Sequence, residues 1–180
     1  MMSRSRAAGG AVDVTKETPR SGACEECGFD WTIPLEDAIG LVEAAPARVG
    51  ALFDAAPAQP PAASPGRWSP ASYLWHLVDV VRFGTERLWV LTLAPGADHP
   101  GWDQDAMAAL RRYDALSVPV GLRALRQAAV AWAQAAREAP AASTVRHPVF
   151  GELTTGDAVR RNAHEAVHHE LDIRRGLGES

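Results

Sequence analysis

The sequence predicts an all-α protein, a four-helix bundle carrying an N-terminal extension. Three observations point there. Apolar residues recur at helical intervals in four separate stretches. Cap and breaker residues bracket each stretch. The hydrophobic fraction is 47%, much of it Ala and Leu, within a chain of 180 residues, enough to bury a core without disulfides. By these patterns the chain divides into a disordered tail over 1–22, a knuckle-like Cys segment over 23–31 and the bundle over 32–178.

The tail is rich in Gly, Ser, Arg and Ala and has no apolar period. The first helix follows Thr32, with Pro34 in its opening turn and Glu36 and Asp37 favouring the positive end of the dipole. Its stripe is Leu35, Ile39, Val42, Val49, Leu52 and Phe53. Pro46 lies inside the stripe and is expected to kink or split the helix, because it lacks an N–H and clashes with the preceding turn.

Ala55 to Gly66 is a Pro- and Ala-rich loop. Ser69 caps the second helix and Pro70 opens it. That helix runs to about Leu93, with an inward face of Tyr73, His76, Leu77, Val80, Gly84, Leu88 and Leu91. The connection from Ala94 to about Leu116 has a helical part around Ala106 to Tyr113. The third helix starts near Ser117 to Pro119, with a stripe of Leu122, Leu125, Ala129, Trp132 and Ala136, and Pro140 closes it. Val145 to Leu153, with Pro148 and Gly151, reads as an irregular or hairpin-like link. Thr154 with Asp157 resembles a capping box for the fourth helix, which ends at Arg174 and Arg175 with Gly176 as C-cap.

The strongest chemical signal is Asn162-Ala-His164-Glu165-Ala-Val-His168-His169 on the fourth helix. His164 and His168 are four apart, so both imidazoles lie on one face. They share it with Val167 and Leu171, which predicts that this face points into the bundle. Buried imidazoles need partners, and a divalent metal satisfies both at once. A third nitrogen is expected from His76, on the inward face of the second helix. Three neutral imidazoles leave a coordination position open, as in catalytic sites. His169 turns about 100° from His168 and is placed on the flank or surface. His99 and His147 are given no role in this site. Asp79 and Asp172 each lie one turn from a candidate ligand, where a carboxylate can orient an imidazole. Trp68, Trp75 and Trp102 are pocket or core residues.

Trp68-Ser-Pro-Ala-Ser-Tyr-Leu-Trp-His76-Leu-Val-Asp79, together with His164-Glu-Ala-Val-His168-His-Glu-Leu-Asp172-Ile, resembles the DinB/YfiT-like superfamily, which includes mycothiol-dependent isomerases and bacillithiol or mycothiol S-transferases. The resemblance spans about Leu35 to Leu177. It implies an up-down-down-up bundle, often dimeric, with His76, His164 and His168 holding zinc or nickel. Asp79 also fits the family pattern.

Cys24-Glu-Glu-Cys27-Gly28 lies outside the family core and has the shape of half a zinc knuckle. Completing a second zinc site would take His99, His147 or another chain; the other reading is a free or reversibly oxidised pair. Glu25 and Glu26 are expected to raise the thiol pKa.

The net charge of −4 and the lack of a basic stripe exclude nucleic acid as a partner. No apolar run approaches the ~20 residues of a membrane span, and no secretory signal is seen, so the cytoplasm is expected. The leading functional expectation is an enzyme on a small-molecule substrate, with a low-molecular-weight thiol as cosubstrate attacking an electrophile. Metal-assisted hydrolysis and a non-catalytic metal-binding or regulatory module are the other readings.

Overall fold

The structure, a computed structural model, describes residues 21–56 and 66–178. The expected tail therefore lies almost wholly outside the described residues, as does most of the Pro-rich loop. The elements are α1 (Leu35–Ala55), α2 (Pro70–Leu93), α3 (Gln104–Arg111), one 3-10 turn (Tyr113–Ala115), α4 (Val118–Glu138), β1 (Thr144–His147), β2 (Gly151–Thr154) and α5 (Thr155–Gly176).

The helix ends follow their cap chemistry. Ser69 Oγ accepts the Ser72 N–H at 3.1 Å and Pro70 opens α2. Thr154 and Asp157 close a reciprocal capping box on α5, at 3.0 and 3.1 Å. Two expectations are corrected. Pro46 does not split α1, which runs unbroken through it; Val42, Ala45, Pro46 and Val49 are all buried, and that packing holds both halves in one helix. Gly176 is the last helical residue, not the C-cap. A Cβ there would meet Pro70 Cγ at 2.9 Å, so the glycine lets the end of α5 approach the start of α2.

The bundle is formed by α1, α2, α4 and α5. Adjacent pairs are α1/α5, α5/α2, α2/α4 and α4/α1, which leaves α1 diagonal to α2. Cross-helix contacts give the directions. Arg160 donates to Ile33 O and Arg48 pairs with Glu170, so α1 and α5 run parallel. Asn162 donates to Val80 O while Gly176 abuts Pro70, so α2 opposes α5. Gly121 sits against Leu74 and Trp75 while Arg137 binds Glu36 and Glu43, so α4 runs with α2 and against α1. The order is up-down-down-up. Leu74, Leu77, Leu88, Leu125, Trp132 and Ile173 fill the centre.

The link between α4 and α5 is a two-stranded antiparallel hairpin with Val145 opposite Leu153, both buried. The connection after α2 joins its edge: Arg146 N–H donates to Ala97 O and His99 N–H to Arg146 O, each at 2.9 Å. This docks Trp102 and His147 over the flank of α2. No helix among the described residues is long and apolar enough to cross a membrane.

Candidate functional site

The packed seam of α5 is Val159, Asn162, Ala163, Ala166 and Ile173. At about 100° per residue, Glu165 and His169 stand on one shoulder of that seam, while His164 and His168 face away from it. The structure thus corrects the expected orientation. The His164/His168 face with Val167 and Leu171 is not the bundle interior, and His169 lies on the helix flank, its side chain 13% exposed against 23% for His168. At its centre, beside Glu165 and His169, the seam is Asn162, Ala163 and Ala166, which carry less apolar contrast than the valine and leucine beside the other histidine pair.

As a result His76, His164 and His168 are not gathered at one point. Among the described residues, potential donors form two clusters, each with its ligand atoms within 4.8 Å of one another: His76, Glu165 and His169, and Cys24, Cys27, His164 and His168.

In the first cluster, His76 is 1% exposed and neither ring nitrogen has a hydrogen-bond partner. Burial, aided by the neighbouring His169, pushes its pKa down to about 4, so it is a neutral imidazole. Trp68 and Trp102 pack on its ring at 5.0 and 5.4 Å. His169 Nε2 lies 3.1 Å from Glu165 Oε2, and its Nδ1 lies 3.0 Å from Asp172 Oδ2. Burial opposes the His169 charge, but the two carboxylates outweigh it and raise its pKa to about 9. The Asp172–His169 pair has the form of a carboxylate orienting a ligand imidazole. Asp172 was expected beside His168, but its carboxylate pairs with His169 instead, and His168 Nε2 is 3.8 Å away. Asp79 does not face His76. Its carboxylate accepts from Tyr113 Oη and Arg111, which pins the 3-10 turn and α3 onto α2.

His76 and Glu165 open into a cavity of about 480 Å³. Phe83, Trp102 and Phe150 give it apolar walls, and Arg87, His147 and Arg161 give it cationic or polar ones. Arg87 is 9% exposed and its Nε is buried without a partner. Burial and the nearby Arg161 bring Arg87 down to about 10, and burial lowers Arg161 as well; Glu165 is the carboxylate acting on both. The Arg161 guanidinium lies 3.4 Å over the Phe150 ring. Gly84 leaves room for Asn162 across α2, since a Cβ there would be 2.4 Å from its Nδ2.

In the second cluster, Gly28 takes φ +72°, its N–H donates to Cys24 O at 2.8 Å, and Cys24 N–H donates to Phe29 O at 2.9 Å. This turn brings both thiols to one side. Cys24 Sγ lies 3.9 Å from His168 Nδ1. Phe29 and Trp31, both buried, pack against the His164 ring at 5.6 and 4.6 Å, and His164 Nε2 is buried without a partner. Burial opposes the Cys24 thiolate, but the Cys27 N–H and His164 outweigh it and bring the thiol down to about 6; burial and the adjoining Cys24 push Cys27 up to about 11. The expected rise from Glu25 and Glu26 is thus not what governs Cys24. Neither His99 nor His147 joins the cysteines.

Glu165, Arg87 and Arg161 carry no role in the sequence expectations, and His169 has there only a place on the flank or surface. One signal was present: Glu165-x-x-x-His169 repeats the four-residue spacing of His164 and His168 one residue later. Arg87, three residues after Gly84 and next to Leu88, was a cation beside the apolar face of α2.

The sequence profile of the DinB superfamily matches residues 41–173. The chain belongs to the DinB superfamily. Among solved structures, YfiT from Bacillus subtilis superposes with a TM-score of 0.71 at 17% sequence identity, covering 90% of this chain and 94% of that one. YfiT is described as "a probable metal-dependent hydrolase with an unusual four-helix bundle topology". No curated protein sequence matches significantly. This DinB chain thus shares its helical bundle with YfiT.

Proposed function

We propose that this chain is a divalent-metal-dependent enzyme that acts on a small anionic molecule bound between Trp102, Arg87 and Arg161, with a low-molecular-weight thiol as nucleophile. The observation carrying the reading is His76: a neutral imidazole, buried with both nitrogens unpartnered, beside Glu165 and His169 at the floor of a cavity. Leaving both nitrogens buried and without a protein partner is costly, and an ion relieves that cost. Two imidazoles and one carboxylate form a donor set of the catalytic type, with room for a further ligand. Such an ion, zinc or nickel, would lower the pKa of a thiol or water bound beside it.

The chain's own residues supply the rest. Asp172 holds the His169 ring by its Nδ1. Arg87 and Arg161 attract an anionic group, and Phe83 and Trp102 exclude water from one wall. In thiol transfer the S–C bond forms, the bond from carbon to the leaving group breaks, and the thiol proton departs with that group. Hydrolysis, with water in place of the thiol, is the second reading; the description of YfiT favours it.

The test is turnover by metal-loaded protein of a panel of anionic electrophiles, with and without a mycothiol-type thiol. Thiol consumption that is lost in His76→Ala and Glu165→Gln supports transfer. Acid product without thiol consumption moves the assignment to hydrolysis. If no compound is turned over or shifts the melting temperature, the non-catalytic metal-binding module replaces both.

A further inference from the structure

The geometry points to a second metal site, separate from the cavity: a closed, structural zinc held by Cys24, Cys27, His164 and His168. Three features converge on it: the donor spacing, the Gly28 turn and the unpartnered His164 nitrogen. The four donor atoms lie within 4.8 Å of one another. In a tetrahedral zinc site with thiolate and imidazole ligands, bond lengths of about 2.3 and 2.0 Å put neighbouring donors about 3.3–3.8 Å apart. The Cys24 Sγ to His168 Nδ1 distance of 3.9 Å is already near that span. The Gly28 turn presents both sulfurs to the same point, as a knuckle does. His164 Nε2 is buried and unpartnered, which a metal bond would remedy.

Two thiolates and two imidazoles complete four-coordination, so no position remains for a substrate. The role is mechanical. The site fastens the segment around Cys24–Trp31 across the face of α5 that points away from the bundle seam. It lends that segment a fixed place without a disulfide, and both cysteines are free thiols here. Its two histidines alternate along α5 with Glu165 and His169, so it also steadies the helix that bears the cavity's donors.

X-ray absorption on zinc-loaded, full-length protein under reducing conditions tests this, with metal content and melting temperature measured alongside. His76→Ala, which leaves the second cluster whole, serves as the background that removes the cavity ion. In that variant the expected zinc shell is two sulfurs and two nitrogens at one zinc per chain, and a thiol-blocking mercurial releases that zinc. Cys24→Ser with Cys27→Ser should lose one zinc per chain and lower the melting temperature, since the binding energy of such a site is folding energy. A shell without sulfur, no zinc release on thiol blocking, or a double variant with unchanged zinc content overturns the assignment. The absorption and release measurements use native cysteines, so they decide even if the double variant fails to fold. Failure of the cavity reading would leave these results unaffected.

Discussion

His168 and His169 are consecutive residues whose rings lie 5.6 Å apart at 88°, and each belongs to a different donor cluster. The register explains this. His164/His168 and Glu165/His169 are both four-residue pairs, offset by one residue and so by about 100° around α5. One helix thus offers two faces, one turned to the N-terminal segment and one to the cavity. With cobalt in place of zinc, thiolate ligation gives a near-ultraviolet charge-transfer band. His169→Ala should keep that band while total metal falls by one ion per chain. His168→Ala should weaken the band and leave the cavity ion in place. Equal loss of the band in both variants would show one shared site.

Much of the bundle was legible because its helices are marked by local chemistry: Ser69-Pro70 and the Thr154–Asp157 box set the starts of α2 and α5 where expected. The donors were legible as types. Their partition was not, because it depends on which face of α5 packs inward. Ala163 and Ala166 are small, and the covering of His164 by Phe29 and Trp31 comes from 135 and 133 residues earlier, distances no helical period encodes. Arg87 was hidden for a related reason: it sits among the buried Gly84, Thr85, Leu88 and Leu91 of α2, where a cation is not expected.

Asp79 makes a structural prediction. It is 1% exposed and accepts from the buried Tyr113 hydroxyl and from Arg111. Asp79→Ala leaves the Tyr113 donor without an acceptor, a loss of about 1–3 kcal/mol. Denaturant unfolding should show that loss, while metal content stays at the wild-type value. A fall in metal without a fall in stability would instead tie Asp79 to His76.

His147 makes a pH prediction. Its Nδ1 accepts the Val149 and Phe150 N–H groups at 3.1 and 3.3 Å, which requires the neutral ring. Burial first, then Arg87, Arg161 and His99, lower its pKa from 6.5 to about 4. The unfolded chain therefore binds the proton more readily, and stability rises with pH across this interval. The contribution is complete above pH 6.5 and is lost as pH falls toward 4. His99 is shifted the same way, again chiefly by burial. Melting temperatures between those limits should show a shallower acid loss in His147→Asn than in the wild type. Parallel curves would remove His147 from the account.

Arg87 and Arg161 separate ligand binding from stability. Both are largely buried on the cavity wall, and Arg87 Nε has no partner. A buried cation without a bonded counter-charge destabilises the fold, so its replacement by a length-matched apolar side chain should not lower stability. The same replacement removes charge-assisted hydrogen bonds to an anionic ligand, worth about 1.5–3 kcal/mol, or roughly a tenfold to hundredfold loss of affinity. Arg87→Met should therefore melt at or above the wild-type temperature and raise KM for an anionic substrate, with kcat less affected. Arg87→Lys should recover part of the charge but little of the affinity, because the ammonium lacks the planar fork. Inorganic phosphate serves as a probe before a substrate is known: it should raise the melting temperature of the wild type and not that of Arg87→Met. A stability loss in Arg87→Met with unchanged phosphate response would make Arg87 a packing residue and remove the anionic substrate class.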